Sequence, residues 1–404
     1  MRLIQKLMTY CLLELIICIV KAGGAPDSIL EQAALGPRDT LAFTGSVGSG
    51  AFSQGGGQQG RPLLVTTLKD NYEGGSLRWA LSQPYPRTIT FAVGGTISLN
   101  NDLIIVEPCV TVDASTVPGG ITITNGTIRI FNVYDVILRY IRVRPGYELA
   151  LHGNTNKTSG KDREALSIQQ SAFIMIDHCS LSWSVGTALT VSNSSFITIQ
   201  RSIIAEPLSN FRPSYYATPL IRSNSFEVSL VENLLSFFPD VGIELFSPGN
   251  KMVRASMVNN YICRYGSVAI QFALGSAPAE YHLYDNLFAY PEKTDSVAVA
   301  VVPIDPSLAE DTREVRDVKM YLSENRFPTV SNDSFQNDWY FVRTNFNPEI
   351  LEAIKSGNQL FRTHFIDPFS ALLVPEHVLS QVGASLPARD LIDRRIIKAI
   401  SEHR

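Results

Sequence analysis

The chain has 404 residues, 45% of them hydrophobic and 18% charged, with a formal net charge of −4. That composition supplies a large apolar core and excludes disorder over most of the length. A mildly acidic chain with no basic run also excludes a nucleic-acid binder that works by phosphate contacts.

Residues 1–22 open with Arg2 and Lys6, continue as an apolar run from Leu7 to Val20, and end in Val20-Lys21-Ala22. This reads as a signal peptide, interrupted by Glu14, and predicts secretion. The run is short for a membrane span, and no second one follows, so no membrane span is expected. Removing it leaves Cys109, Cys179 and Cys263. An odd count allows at most one disulfide, and nothing in the spacing chooses a pair. Four N-x-S/T sequons, at Asn125, Asn156, Asn193 and Asn332, are glycosylation candidates in a secreted protein.

Residues 23–60 are rich in Gly, Ser, Gln and Ala, a composition for a mobile leader or for a loop wrapping the body. From Leu63 short β-branched runs recur, bounded by Asn, Ser, Gly or Asp: Thr88–Val93, Ile121–Thr124, Val136–Val143, Leu166–Ile168, Phe173–Asp177, Ile197–Ile203, Val228–Leu235, Met257–Ile262 and Tyr281–Leu287. Aligning them puts Cys179, Ser202, Asn233, Asn260 and Asn286 in register, at intervals of 23, 31, 27 and 26 residues. A period in that range marks a solenoid, whose coils bury their apolar faces only by stacking. Asn at a turn tolerates the left-handed region and can bond to its equivalent one coil along. The expected fold is an all-β parallel β-helix over 61–335, in preference to a sandwich. Residues 336–404 form a helical tail packing back on it, since "NPEILEAIKSG" and "ARDLIDRRIIKAI" both carry helical patterns.

Several segments resemble the pectate lyase family of secreted right-handed parallel β-helix enzymes. In chain order they are "VTTLKDNYEGGSLRWAL", "PRTITFAVGGTISL", "DVILRYIRVRPG", "DREALSI", "FIMIDHCSLSW", "ITIQRSIIAEPL", "VSLVENLL", "VNNYI" and "GASLPARDLIDRRI". The resemblance implies cleavage of polygalacturonate by β-elimination. It also implies an arginine base, Ca²⁺ held by acidic side chains, and a lysine gripping the substrate. Carried over residue by residue, the pattern thins. Glu164 stands at the first acidic position, where the family has Asp. Gly186 and Thr187 occupy the positions of an Asp-Glu pair, with "DHCSLSWSV" and "AL" pinning the register. The lysine falls at Thr218 and the base at Val241, beside Gly242, Ile243 and Glu244. Ca²⁺ needs several oxygen ligands, so no cofactor is expected unless a rearranged site survives.

Among individual residues, Arg222 and Arg254 are candidate grips for a uronate carboxylate, each weighed against a solvated surface arginine. Glu206 is a groove-lining or structural acid. Asp177 and His178, adjacent in a strand, are expected to point to opposite faces and not to share a proton. Cys179 reads as a buried stack member. Tyr215 and Tyr216 could stack on sugars, and Asp240 with Glu244 could hold a cation. The favoured function is a secreted, catalytically impaired pectate lyase-like monomer, with acidic polysaccharide in its inherited groove. The alternative is an active polyuronate lyase with a rearranged Ca²⁺ site.

Overall fold

In a computed structural model, the structure describes residues 24–35, 38–57, 59–146, 163–208, 220–305, 317–327 and 337–402. The signal segment, Asn156, Tyr215, Tyr216, Thr218 and Asn332 lie outside these. No helix among the described residues is long and apolar enough to cross a membrane.

The strands all pair in parallel and fall into a 17-stranded and an 8-stranded sheet. The larger one bends into two faces, because the long strands Leu189–Gln200 and Ile221–Val231 run from one face into the other. We call the faces sheet A, from Leu103–Ile105 to Val342–Thr344, and sheet B, from Arg61–Val65 to Val318–Ser323. The smaller sheet C runs from Gly95–Ser98 to Leu287–Ala289. Together they make a right-handed parallel β-helix, as the periodicity predicted. Its lumen holds one continuous apolar core, with Ile130, Ile168, Val191, Ile243, Ile270 and Val299 almost wholly buried. The last strand of sheet A lies beyond residue 335, so the solenoid runs further than the composition suggested.

Several apolar runs that read as single strands are two. Val136–Val143 divides into Tyr134–Arg139 and Ile141–Arg144. The break is one residue in the left-handed region, and it recurs in each coil. Tyr140, His178, Arg201, Glu232, Asn259, Asp285 and Glu324 have φ between +47° and +57°. Such a residue costs on the order of 1–2 kcal/mol. The compensation is the next residue, which builds a ladder along the axis. The Asn233 Nδ2 donates to Asn260 Oδ1 (3.0 Å), Asn260 to Asn286 (2.9 Å), and Asn286 to Asn325 (2.9 Å). Asn325 in turn donates to the Asp338 carboxylate at 2.6 Å, ending the amide chain on a charged acceptor. Cys179 and Ser202 continue the row towards the N-terminus, where Ser202 Oγ accepts from the Cys179 N–H at 3.0 Å.

Sheets B and C are covered. The leader wraps sheet B: Gly50 donates its N–H to Thr198 Oγ1 at 2.8 Å, and a Cβ there would sit 2.4 Å from the Ile174 carbonyl oxygen. Gly, Ser and Gln therefore allow close backbone approach, and the leader is the wrapping loop of the two readings. The tail covers sheet C. Its helices Val374–Gln381 and Leu391–Ser401 bury Val378, Ile396 and Ile400 against Ile203, Leu234 and Tyr261. Arg144, buried under the last helix, reaches Asp390 (2.6 Å) and Asp393 (2.8 Å). Cys109, Cys179 and Cys263 are all free thiols.

Beyond the leader, sheet B is strapped by residues 356–366. The His282 ring is fully buried, stacks on Phe361 at 3.8 Å, and accepts the Leu360 N–H at Nε2 (2.8 Å). Burial, then the nearby Arg254 charge, lowers its pKa to about 4. The neutral ring is thus the folded form. Its contribution is complete above the ordinary histidine pKa of about 6.5 and is lost as pH falls through about 4. Acid should cost up to about 3 kcal/mol through this residue. His282→Gln keeps an acceptor for Leu360 and should flatten that part of the stability–pH curve, as read by thermal melting from pH 7 to 4. An unchanged slope would remove the assignment.

Asn260→Ala should be far more damaging. It strands the Asn233 backbone N–H and the Leu230 carbonyl, both buried partners of the Asn260 side chain. A loss of about 3 kcal/mol or more is expected, measured by denaturant unfolding, and a loss under about 1 kcal/mol would contradict the ladder's role.

Candidate functional site

Sheet A is the face that neither leader nor tail covers. Alternation turns Ile128, Leu166, Leu189, Ile221, Ile243, Ile270, Val299 and Val342 inwards. Strand register then aligns their neighbours outwards in one row: Arg129, Ser167, Thr190, Arg222, Glu244, Gln271, Ala300 and Arg343. The charges in this row are largely answered. Arg129 Nε lies 2.6 Å from Asp102, and Arg222 Nε lies 2.8 Å from Glu244. Gln271 Nε2 donates to the second Glu244 oxygen at 3.2 Å. The Arg222 side chain remains 48% exposed, over the Phe246 ring.

Glu164 sits at the edge of this row, just before strand Leu166–Gln169. Its carboxylate accepts a hydrogen bond from Thr190 Oγ1, and its carbonyl accepts from Thr127 Oγ1 at 2.8 Å. The turn opposite is closed by backbone: Arg163 and Val185 exchange N–H to C=O bonds of 2.7 and 3.0 Å. Gly186 takes φ +90°, and its carbonyl accepts from Ser184 Oγ at 3.1 Å. Thr187 is buried. Val241 begins strand Val241–Ser247 and is buried too. No group of three or more His, Cys, Asp or Glu among the described residues is arranged to hold a metal. Among the described residues, one carboxylate already bonded to a hydroxyl does not fit a Ca²⁺ ion.

Other sequence candidates fall elsewhere. Arg254 belongs to sheet B, paired with Glu227 (2.8 Å) and Glu280 (2.5 Å) and lying over Phe226 and Phe361. Glu206 follows a sheet C strand and ties the tail down, accepting from Trp183 Nε1 (3.0 Å) and Arg395 Nη2 (2.6 Å). Asp240 gives its carbonyl to the Val268 N–H, while Glu244 is committed to Arg222. Asn125 and Asn193 both occupy left-handed turns, Asn193 exposed.

Asp177 and His178 correct the expectation of opposite faces. Their Oδ1 and Nδ1 atoms are 2.9 Å apart. His178 has φ +50°, which ends the strand alternation and swings the ring back. It stacks on Tyr140 at 4.9 Å. Burial pushes the Asp177 carboxyl up, but His178, Arg139 and Gln200 outweigh it and hold the pKa low. The cluster lies on sheet B under the leader, where Gln200 meets the Gly45 carbonyl and the Val47 N–H.

Arg129 and Arg343 were missed by sequence reasoning, as was the adjacency of Arg222 and Glu244. Extending the coil alignment from the Asn position to the other strands would have placed all four.

No family model matches the chain. Over 170 residues it is 39% identical to a probable pectate lyase C of Aspergillus terreus, covering 42% of this chain and 37% of that protein. It is 28% identical over 257 residues to the probable pectate lyase 4 of Arabidopsis thaliana, covering 60% and 62%. The structure overlays a pectate lyase variant of Bacillus subtilis with TM-score 0.50, at 13% identity, over 86% of this chain and 99% of that one. The protein is pectate lyase-like. Its match spans 37% of the length of the Aspergillus relative, so likeness in sequence and fold is what the comparisons carry.

For this pectate lyase-like face, millimolar Ca²⁺ should leave the melting temperature unchanged, because a ligand stabilises only through a site it occupies. An upward shift reversed by EDTA would reveal a metal site. Glu164→Gln should cost less than about 1 kcal/mol, since among the described residues its carboxylate is held by one hydroxyl donor.

Proposed function

We propose that the protein is a secreted pectate lyase-like β-helix that holds acidic polysaccharide along sheet A and does not cleave it by metal-assisted elimination. One observation carries this: among the described residues the Glu164 carboxylate belongs to no group of three or more metal-ligating side chains and accepts from Thr190, on a face whose central arginine is paired with Glu244. Elimination from a uronate needs the substrate carboxylate neutralised and the α-proton removed. Gly186 and Thr187 bring no charge for the first, and Val241 brings no base for the second. Missing both at once costs several kcal/mol of transition-state stabilisation, on the order of 10³-fold or more in rate.

Binding needs less. Arg222 can exchange one carboxylate partner for another with the same bidentate geometry, and its half-exposed side chain allows the exchange. The alternative, a lyase with a rearranged site, is supported by Arg222 standing on the same face as Glu164. In it Arg222 is the group nearest to a base.

Incubation with polygalacturonate and Ca²⁺ at alkaline pH, followed by absorbance of the unsaturated product, separates the two. No turnover is expected; turnover abolished by EDTA or by Arg222→Ala would establish the lyase. Retention on immobilised polygalacturonate should exceed that on a neutral glucan. Arg222→Ala should weaken it about tenfold, equivalent to about 1.4 kcal/mol. Equal retention on both gels would remove the binding proposal.

A further inference from the structure

The outward row on sheet A ends in a pocket. Arg129 and Arg343 lie seven strand steps apart, roughly 34 Å at the ~4.8 Å spacing of paired strands. Arg129 and Arg222 each have a carboxylate partner; Arg343 pairs with no carboxylate among the described residues and is exposed. Its Nη1 donates only to the Tyr340 carbonyl, at 3.2 Å. It lines a cavity of about 200 Å³ together with Tyr265, Ser296, Phe288, Phe327 and Phe341. Three of these form one stack: Phe288 on Phe327 at 4.8 Å and 12°, Phe327 on Phe341 at 3.8 Å and 20°.

Each part has a reason in the fold. Phe288 belongs to the apolar core and Phe327 packs against it, at the C-terminal end that Phe346, Ile350 and Ile354 also help to close. Phe327 follows the last Asn of the ladder by two residues, and Phe341 belongs to the short helix Asp338–Phe341 that supplies the ladder's terminal acceptor. The Arg343 side chain is not explained by closure. It faces outwards on the final strand, opposite Ala300, while its neighbour Val342 packs inwards.

We propose that this pocket is a terminal subsite for one acidic sugar residue, with Arg343 holding the carboxylate and the phenylalanine stack lying against the ring. The chemistry of the lining matches that ligand. A guanidinium binds a carboxylate through two parallel hydrogen bonds. A pyranose offers an apolar face to an aromatic wall and hydroxyls to Tyr265 and Ser296. Burial pushes the Tyr265 phenol up to about 12, so it stays protonated and can donate. The room suits one ring and excludes a folded chain. The inference rests on the reading that sheet A takes acidic polysaccharide, and it sets where such a chain would be anchored: at the C-terminal end of the row, away from Glu164.

Saturation-transfer NMR with free galacturonate, and retention on polygalacturonate, test it in the full chain. Galacturonate should bind the unsubstituted protein. Arg343→Ala should abolish that signal and weaken retention of the polymer about tenfold, with Arg343→Lys intermediate and the melting temperature unchanged. If the polymer is retained, Arg222→Ala weakens it and Arg343→Ala does not, the subsite is wrong and the groove reading stands. If galacturonate binds through Arg343 while the polymer is held no better than a neutral glucan, the groove reading is wrong and the subsite stands. If benzoate binds more tightly than galacturonate, the sugar assignment is overturned. If neither sugar nor polymer binds, both fall.

Discussion

Everything on this molecule's surface depends on the turn between sheets B and C. Each coil must reverse there without exposing backbone polar groups. The protein does so with one residue in the left-handed region, followed from Ser202 onwards by one polar side chain facing the axis. A lone turn of this kind would be unfavourable. Stacked, each amide supplies the donor that the next coil's amide accepts, and the chain of bonds from Asn233 to Asp338 fixes the rotation of the coils it joins about the axis. With that rotation fixed, residues far apart in sequence fall into straight outward rows.

The two other faces show what the rows are for when they are not functional. On sheet B the row is consumed by the leader and by the strap at His282, through backbone donors that reach Thr198, Ser229 and the His282 ring. On sheet C the buried Arg144 and Ser180 take carboxylates from the last helix. Those charges hold segments in place. Among the described residues sheet A keeps a row that neither leader nor tail occupies, with Arg222 and Arg343 exposed in it, and its arginines are spread along the axis, without convergence on one point. Spread charge suits a polymer lying lengthwise. Convergent charge is what elimination chemistry requires, and among the described residues Glu164 belongs to no group of three or more His, Cys, Asp or Glu.

How far the sequence could be read differs from part to part. The solenoid, its period and the row of Asn233, Asn260 and Asn286 were legible, because each coil repeats the same local requirement. Asn325 was not placed, although it serves the same ladder. The helix Pro348–Ile354 was legible from the Pro at its start and the Gly beyond its end, and Leu391–Ser401 from apolar spacing; their caps, Asn347 and Asp390, came from the structure. The division of Val136–Val143 was not. Tyr140 lacks the polar character of a turn residue, and its conformation is imposed by the coils on either side. His178 misled for the same reason: strand alternation stops where a left-handed residue begins.

By itself the sequence determined that the coils stack and that a helical tail follows, which are properties of local composition and of position within a repeat. That charge is expected where Gly186, Thr187 and Val241 stand is what the resemblance to pectate lyases implied. Tertiary structure alone decided which charges share a face. Arg222 and Glu244 are neighbours because two coils lie side by side, Arg254 is elsewhere because its strand belongs to sheet B, and Arg343 joins the row of Arg129 only because seven intervening strand steps hold their register. Register is a sum over every turn between two residues. No single stretch of the chain contains it.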